Sequence, residues 1–363
     1  MLWLRGNKKD EKGKPLNLKE NRMGFWTGQK VLITGGAGFI GSYLTEKLVA
    51  YGSEVTVVDD LSRGKFVNLK TVRDDINFLQ YDLRNPDLSD KACTDQDIVL
   101  HLASRVGGMY YNMNNHTRMF IDTMALSCNV VDSCIKKGVS LLYEQSTACV
   151  NDHDCPVPTP EEVGHDGLPE ATNEGYGWAK RMGERLGGWA AKEYGIKVAI
   201  GRPWNAYGPE RDYDDEETSH VIPALLKRIY TENGPLLVYG HGNQERVFIY
   251  VDDLIDAILL TTERYAECDP VNLGVPESIK IKDLAQKLLN LTGYSDKGLV
   301  FDNTKEVGYE RRAAVNTKLR EVIGWEQKVL LDDGLRRVVD WYSENRAPTL
   351  RMMKKQRELD GSL

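Results

Sequence analysis

The chain has 363 residues, of which 41% are hydrophobic and 28% are charged, so it can bury the core of one or two ordinary domains. Its 47 Lys and Arg residues against 54 Asp and Glu residues give a formal net charge of −7 at pH 7. A chain with this balance has no general positive field to collect phosphate backbones or anionic lipids. The composition therefore argues against nucleic acid and membrane surfaces as partners.

The two ends of the chain and the cysteines favour a cytoplasmic protein. Residues 1–28 are mostly polar and lack the apolar run of a secretory signal, and no apolar run is long enough for a transmembrane helix. The six cysteines include no CxxC pair, which argues against a zinc site and a dense disulfide framework and fits a reducing compartment. We expect a polar N-terminal extension over residues 1–28, a charged tail over 346–363 and no bound metal.

The first predicted elements form a βαβ unit around a glycine-rich turn. The segment KVLIT (30–34) predicts a buried strand, SYLTEKLVAYG (42–52) a helix, and EVTVVDD (54–60) a second strand. Between the first strand and the helix, three glycines have the spacing that lets backbone amides and a helix N-terminus approach a pyrophosphate. We expect cofactor contacts from Gly35, Gly38, Phe39, Ile40 and Gly41.

Acidic residues at two strand ends add to the predicted cofactor site. Asp59 ends the second strand about 20 residues after the glycine turn, where a carboxylate accepts hydrogen bonds from an adenosine ribose diol. Such a carboxylate repels a 2′-phosphate, so the sequence predicts NAD rather than NADP as the cofactor. Arg63 leaves NADP open, since a nearby guanidinium could accommodate the extra phosphate. After the third predicted strand, Asp82 and Leu83 are placed to bracket an adenine.

The later strands and helices alternate up to residue 205 and become less regular beyond it. Alternation of this kind predicts an α/β fold with a Rossmann-type, doubly wound parallel sheet and right-handed crossovers. We expect an NAD-binding Rossmann domain over residues 29–205 and a smaller, mainly substrate-binding domain over 206–345. Strands are predicted at 76–80, 97–102, 140–145 and 197–201, and helices at 117–137 and 175–194.

A threonine at a strand end and a Tyr-Lys pair form the predicted catalytic group. Tyr176 and Lys180 lie four residues apart, on one face of a predicted helix. An ammonium beside a phenol lowers the ordinary phenol pKa of about 10, as a base that removes a hydroxyl proton during hydride transfer requires. Thr147 is placed to hydrogen-bond the same substrate oxygen. Just before it, Glu144 and Gln145 are more polar than a core strand normally permits, and the sequence assigns them no role.

In this order the motifs resemble those of the extended short-chain dehydrogenase/reductases that modify nucleotide sugars. The resemblance covers roughly residues 30–345 and implies that a bound NAD oxidises a sugar hydroxyl to a ketone, which then permits epimerisation, dehydration or decarboxylation. It also implies a homodimer that pairs through the helices at 117–137 and 175–194. The matching motifs are TGGAGFIG (34–41), HLAS (101–104), STACV (146–150), YGWAK (176–180) and RPWNAYGPE (202–210).

The resemblance also implies roles for individual residues. By motif matching, Thr147, Tyr176 and Lys180 are expected to form a catalytic triad. Tyr176 and Lys180 are also expected to contact the cofactor. Asn205 and Arg246 match positions that contact the diphosphate side of a sugar nucleotide. Either Arg311 or Arg312 is expected to add a second phosphate contact, and we name Arg311.

Two further residues resemble an acid and a base that invert sugar carbons. Once carbon 4 is a ketone, the protons at carbons 3 and 5 become acidic, and an acid and a base must act across the ring. Cys149 lies two residues after Thr147, at the same strand end, and is expected to face the substrate cleft. His220 begins a predicted helix, and a histidine imidazole ordinarily titrates near neutrality. The pair resembles that of the GDP-fucose synthase branch of the family. Gly107, Gly108 and Met109 resemble a substrate-binding segment of the GDP-mannose 3,5-epimerase branch.

The resemblance therefore implies an NAD-dependent nucleotide-sugar epimerase, similar to GDP-mannose 3,5-epimerase, that acts on a nucleoside-diphosphate sugar, with a GDP-sugar favoured. The segment RDYDDEETSHVIP stands where that branch carries a lysine, which favours His220 as the acid. Asp59 favours an epimerase that recycles a tightly held NAD over a reductase that consumes NADPH. A 4-epimerase, an epimerase/reductase similar to GDP-fucose synthase and a non-catalytic nucleotide-binding sensor stay open. So do a buried apolar role for Cys149 and a helix-capping role for His220.

Overall fold

Apart from the side chains of Met109 and Tyr110, the computed structural model describes residues 24–209, 220–305, 308–350 and 352. Most of the predicted N-terminal extension and C-terminal tail lies outside this part of the chain. The last residues of the extension belong to the folded body, because Trp26 is fully buried in the main core. Within the described part, no helix is both long and apolar enough to cross a membrane.

The first half of the chain folds as alternating strands and helices, as its sequence pattern predicts. Its first two strands are buried over four of their five residues, as expected for strands that helices cover on both faces of a parallel sheet. The elements are β1 (Lys30–Thr34), α1 (Phe39–Ala50), β2 (Glu54–Val58), β3 (Ile76–Leu79), α2 (Pro86–Cys93), β4 (Ile98–His101), α3 (Met109–Asn114), α4 (His116–Lys137), β5 (Leu141–Gln145), α5 (Glu174–Tyr194) and β6 (Lys197–Pro203).

The second half has shorter strands, and a buried helix at its centre. Eleven of the fourteen residues of that helix, α7, are buried. The elements are β7 (Asn205–Tyr207), α6 (Val221–Thr231), β8 (Leu236–Tyr239), β9 (Glu245–Tyr250), α7 (Val251–Arg264), β10 (Val271–Leu273), β11 (Ser278–Lys280), α8 (Ile281–Thr292), β12 (Leu299–Asp302) and α9 (Leu331–Asn345).

Seven strands form one sheet in the order β10-β6-β5-β4-β1-β2-β3, and every neighbouring pair is parallel. The predicted Rossmann-type, doubly wound sheet is therefore confirmed. Its last strand, β10, comes from beyond residue 205, so the region expected to bind substrate also completes the large sheet. The remaining strands form a three-stranded sheet, β11-β9-β7, and a two-stranded sheet, β12-β8.

The position of the site follows from the strand order. The chain leaves β1 toward β2 on one side, whereas β4 lies on the other side of β1. A crevice opens outside the carboxyl ends of the strands where the order reverses in this way. The loops after β1, β2, β4 and β5 carry the glycine turn, Asp59, Gly107 and Thr147 respectively, so four predicted site segments meet at one edge of the sheet.

Candidate active site

A cavity of about 470 Å³ lies at this edge of the sheet. It extends from the glycine turn, past the ends of β4 and β5, to β9 and the segment after β12. Both halves of the chain therefore contribute to its wall. Of the residues predicted from sequence, those lining the cavity are Gly35, Gly38, Phe39, Ile40, Gly41, Asp59, Asp82, Leu83, Gly107, Thr147, Cys149, Tyr176, Asn205, His220 and Arg246.

Among the described side chains, those of Lys180 and Arg311 do not line the cavity, and neither does Gly108. Lys180 lies behind the wall, with a side chain that is 1% exposed. Gly108 is the buried N-cap residue of α3, and the side chain of Met109, the next residue, lies outside the described part of the structure. Arg311 is on the protein surface, as described below.

The glycine turn brings backbone close to the cavity. Gly35 has a left-handed φ of 70°, and its N–H donates to the Val58 carbonyl at 2.8 Å. A Cβ on Gly41 would lie 2.2 Å from the Gly35 carbonyl oxygen, so the turn requires glycine there. Gly38 is the N-cap residue of α1 and has no side chain to cap the helix, and the first-turn residues Phe39, Ile40 and Gly41 line the cavity. An uncapped helix N-terminus behind a close-packed glycine turn fits the pyrophosphate of a dinucleotide.

Asp59 lies beside this glycine turn, at the cavity wall. One carboxylate oxygen accepts the Ala37 N–H at 3.0 Å and the other accepts the Leu61 N–H at 2.9 Å. Burial is the largest influence on this carboxyl and raises its pKa, against these two hydrogen bonds. Each oxygen has a further lone pair, so the carboxylate can still accept from a ribose diol at the cavity wall.

Guanidinium groups also line the adenosine end of the cavity. Arg84 pairs with both oxygens of Asp82, with a shortest distance of 2.8 Å, and its Nη1 lies 3.1 Å from Asp122. The hydrogen bonds from Arg84 lower the pKa of Asp82. Arg63 also lines the cavity and donates a hydrogen bond to the Val106 carbonyl. Acidic and basic groups are therefore mixed where the cofactor's adenosine would lie.

Tyr176 lies in the first turn of α5 with its hydroxyl in the cavity. The nearby hydroxyls of Ser104 and Thr147 favour its ionised form. Burial is the largest influence on the phenol and raises its pKa, so the predicted lowering of this pKa by Lys180 is wrong for the chain by itself. The physical reason is that the Lys180 ammonium is also buried and lies 3.7 Å from a carboxylate oxygen of Glu144. The negative charge of Glu144 acts on the phenol as well and raises its pKa further.

Cys149 faces the cavity beside a buried arginine. Its N–H donates to Thr147 Oγ1 at 3.2 Å, which caps the short turn after β5. Its thiol lies close enough to the Arg312 guanidinium to interact with that charge. Arg312 is held in turn by Glu170 at 2.8 Å and by the face of Tyr309, whose ring centre is 3.7 Å away. The thiol thus lies next to a positive charge that two other side chains fix in place.

The two neighbouring arginines that sequence could not separate lie on opposite sides of the backbone. Arg311 pairs with β9, through a bridge to Glu245, and its Nε is 3.1 Å from that carboxylate with more than half of its side chain exposed. Arg312 lines the cavity. Successive side chains of an extended segment point to opposite faces, so only one of the two can reach the site. Arg311, which we named from the sequence, does not line the cavity, and Arg312 is the one of the two that does.

His220 lines the cavity from the second half of the chain. It is the N-cap residue of α6, but its side chain makes no capping hydrogen bond, so helix capping does not account for it. Although the residue is open to the cavity, the surrounding protein and then the charge of Arg63 lower the pKa of His220. The imidazole is therefore neutral near pH 7. Residues 210–219, which include most of the RDYDDEETSHVIP segment, lie outside the described residues.

Asn205 and Arg246 bring polar groups to the far end of the cavity. The Asn205 amide donates to the Val247 carbonyl at 2.9 Å, which fixes its orientation. Arg246 donates to the Tyr309 carbonyl at 2.6 Å, and burial followed by the charge of Arg312 lowers its pKa. Two buried guanidinium groups at one end of a cavity suit a diphosphate.

Some site residues were missed by sequence reasoning. Ser104 belongs to the HLAS motif and could have been found there. Glu170 and Tyr309 come from segments without periodic apolar residues, so no pattern marked them. In the structure both residues contact Arg312 and fix its position. They also contact each other, because Glu170 accepts a hydrogen bond from the Tyr309 N–H at 3.1 Å.

Comparisons with known proteins agree with this geometry. The model of the NAD dependent epimerase/dehydratase family matches residues 31–274. GDP-L-fucose synthase of Dictyostelium discoideum is 30% identical over 298 residues, which covers 81% of this chain and 88% of the relative. GDP-L-fucose synthase 1 of Arabidopsis thaliana is 32% identical over 299 residues, covering 80% and 86%. The crystal structure of UDP-glucose 4-epimerase from Thermotoga maritima with UDP-glucose is similar at a TM-score of 0.79 and 30% identity, covering 86% of this chain and 98% of that one.

The family match includes the glycine turn, the Tyr-Lys helix and the strand that completes the large sheet. The two GDP-L-fucose synthases are 30% and 32% identical to this chain over about four fifths of its length. The chain therefore belongs to the NAD dependent epimerase/dehydratase family of enzymes.

Proposed function

We propose that the protein is an NAD-dependent GDP-sugar epimerase, similar to GDP-mannose 3,5-epimerase, that oxidises carbon 4, inverts neighbouring carbons and reduces the ketone again. The observation that carries the proposal is that Cys149 and His220 line the same cavity as Thr147 and Tyr176. A simple 4-epimerase needs only the latter two. An extra thiol and an imidazole at the same cavity provide the groups that proton exchange beside a ketone requires.

The glycine turn and Asp59 would hold the cofactor. NAD, when bound, supplies a reversible acceptor for the hydride of carbon 4. Tyr176 takes the proton of the carbon 4 hydroxyl and gives it back in the last step, and Thr147 orients that oxygen. Arg246 and Arg312 bind the diphosphate, and this supports residues 206–345 as the mainly substrate-binding part of the chain.

One pair of side chains, Cys149 and His220, removes and delivers the protons in both inversions. Neutral His220 removes a proton from one carbon beside the ketone while the Cys149 thiol delivers one to the opposite face. The hydrogens on carbons 3 and 5 of mannose lie on the same face of the ring, so His220 removes both protons and Cys149 delivers both. Between the inversions, and again after the second, the imidazolium gives its proton to solvent and the thiolate takes one from solvent. The pair therefore ends in its starting state. The Arg312 guanidinium stabilises the negative sulfur between the two steps.

A GDP-sugar is favoured over other nucleotide sugars because the curated relatives are named as GDP-L-fucose synthases. The same relatives support a second candidate, an epimerase/reductase that consumes NADPH. Arg63 and Arg84 at the adenosine end also favour it, since guanidinium groups accept a 2′-phosphate. Asp59, which would repel that phosphate, favours the epimerase.

The test is to incubate the protein with GDP-mannose in heavy water and follow the sugar by NMR. We expect deuterium at carbons 3 and 5, with no net change in nicotinamide absorbance, and loss of the deuterium uptake in Cys149→Ala. Inversion of carbon 4 without deuterium would instead identify a 4-epimerase. Stoichiometric consumption of added NADPH with a 4-keto sugar would identify the epimerase/reductase.

We also propose a cytoplasmic location. All six cysteines are free, including the buried Cys93 and Cys134 and the exposed Cys128. Unpaired thiols are typical of a reducing compartment.

A further inference from the structure

Glu144 is the most unusual charged group in the large sheet. It lies on β5 between Tyr143 and Gln145, opposite His101 of β4, and is 1% exposed. One carboxylate oxygen lies 3.7 Å from the Lys180 ammonium, which is also 1% exposed, and 3.5 Å from the Ser127 hydroxyl. Its other oxygen has no hydrogen-bond partner, and neither has the Lys180 ammonium nitrogen within hydrogen-bond distance. A buried carboxylate in this state is costly, so the fold keeps it for a reason other than stability.

The neighbouring helix leaves room for this carboxylate. Gly183 lies one turn after Lys180 on α5, and a Cβ there would come within 3.0 Å of the Glu144 carboxylate oxygen. Most side chains at that position would push the carboxylate away from the ammonium. The small residue on the helix and the acidic residue on the strand therefore act together to bring the two charges close.

We propose that Glu144 is a positioning residue that keeps Lys180 protonated in the dry interior and thereby controls proton transfer by Tyr176. The inference rests on the proposed function, since Tyr176 must exchange a proton with the sugar. Glu144 does not line the cavity. It acts on the reaction through Lys180, and the direct effect of its negative charge, which raises the pKa of Tyr176, opposes that support.

The charges around Glu144 set the direction of its titration. Burial is the largest influence and raises the pKa of Glu144 to about 7, against the opposing effect of Lys180. Burial likewise lowers the pKa of Lys180, and Glu144 opposes that shift. The ammonium is thus supported only when the carboxylate is ionised. The titratable groups that face this pair are Lys180, Glu184 and Tyr176 on α5, Cys128 and Cys134 on α4, His101 on β4 and Tyr143 on β5.

The pH dependence of the Glu144→Gln variant tests the proposal. At pH values above the pKa of Lys180 we expect kcat/KM of the variant to be about tenfold lower or more, because there each unit of pKa lost by Lys180 reduces its protonated fraction about tenfold. Below pH 6 the variant and the wild type should converge, because wild-type Glu144 is then protonated and neutral. Glu144→Asp should restore the pH-dependent increase. A deficit of equal size at every pH would show a merely structural role and overturn the proposal.

A second measurement needs no turnover. NMR of isotope-labelled glutamate carboxyls, assigned with the Glu144→Gln variant, should show one carboxyl that titrates near pH 7. In Lys180→Met its midpoint should rise by about one unit or more, since an opposite charge has been removed. Ser127→Ala, the matched control, removes a contact without removing a charge and should move the midpoint less. Titration of Glu144 near its ordinary pKa, or no response to Lys180→Met, would overturn the proposal.

The two measurements separate this proposal from the proposed function. If the wild type turns over no GDP-sugar, the proposed function fails and the NMR titration alone decides the coupling of Glu144 and Lys180. If turnover occurs but Glu144 does not couple to Lys180, only the inference about Glu144 fails.

Discussion

Burial governs the titration of Tyr176 and His220 more strongly than the nearest charges do. It raises the pKa of Tyr176 and lowers that of His220. Both groups are therefore neutral near pH 7 in the chain by itself. The imidazole is ready to accept a proton, whereas the phenol must first lose its own proton before it can act as the base at carbon 4. A spacing of four residues indicates that Lys180 shares a helix face with Tyr176. The spacing does not show how deeply that face is buried.

At Asp59, charge rather than packing should decide the choice of cofactor. In Asp59→Asn the side chain keeps its size but no longer repels a 2′-phosphate, and Arg63 and Arg84 still line the same end of the cavity. We expect the preference for NAD over NADP to fall at least about tenfold, as measured by competitive binding of the two dinucleotides. Asp74→Asn, at an exposed carboxylate, should leave the preference unchanged. A wild type that already prefers NADP would contradict the prediction.

Among the elements, the glycine turn and α1 form the most tightly constrained unit of the site. In Gly41→Ala the new Cβ would lie 2.2 Å from the Gly35 carbonyl oxygen, so the turn must open. We expect a loss of about 1–3 kcal/mol in the free energy of unfolding, and a larger loss of NAD affinity. Denaturant unfolding and dinucleotide titration measure the two effects.

Gly188→Ala is the matched control for this prediction. It lies inside α5, where the nearest atom to a new Cβ is the Cys268 sulfur at 3.6 Å, an ordinary contact. Alanine is favoured over glycine in a helix by up to about 1 kcal/mol, so this variant should be as stable as the wild type or more stable. Unchanged NAD affinity in Gly41→Ala would contradict the proposed cofactor site.

The helices α4 and α5 carry large apolar side chains on their outer face. Phe120 and Ile121 on α4, and Trp189 and Tyr194 on α5, are between 38% and 63% exposed. An apolar face of this kind is typical of an interaction surface, and the homodimer expected from the family resemblance would use it.

We expect light scattering to give a dimer for the wild type. Trp189→Glu should give a monomer, because it places an unpaired charge at the centre of the apolar face. Leu168→Glu, at an equally exposed leucine outside α4 and α5, should remain dimeric. A monomeric wild type would contradict the proposed homodimer.

At the scale of the whole molecule, one buried ionic network joins the large sheet to its covering helix. Arg202 on β6 makes two hydrogen bonds with Glu184 on α5, at 2.7 and 2.8 Å, and His165 and Ser146 also hydrogen-bond this carboxylate. Burial alone would raise the pKa of Glu184, but Arg202 outweighs it and lowers the pKa to about 2. The carboxylate therefore favours the folded state whenever it is ionised.

The stability of the protein should fall in acid for this reason. A lowered carboxyl pKa contributes stability above the unfolded value, near 4.5, and the contribution is lost as the pH falls toward 2. Urea unfolding at a series of pH values should show this decrease in the free energy of unfolding. In Glu184→Gln the decrease between the same pH values should be smaller. That variant should also lose about 3–5 kcal/mol at pH 7, because Arg202 keeps its buried charge without a partner. Glu344→Gln, at an exposed carboxylate, should behave as the wild type does.

The sequence alone determined the sheet, the cofactor turn and most of the cavity wall. These follow from local rules: buried strands need apolar runs, a pyrophosphate needs glycines at a helix start, and Thr147 and Tyr176 lie at fixed offsets from strand and helix ends. The family match confirms the short-chain dehydrogenase/reductase resemblance that those motifs imply. The roles proposed for Cys149 and His220 stay predictions until proton exchange is measured.

Only the tertiary structure decided which charges face which. It selected Arg312 over Arg311, gave Glu144 the Lys180 ammonium as its partner and raised the pKa of Tyr176. These outcomes depend on burial and on distances between residues far apart in the chain. Electrostatic interactions are strengthened by low polarity and weaken with distance, and neither quantity can be obtained from the order of the residues.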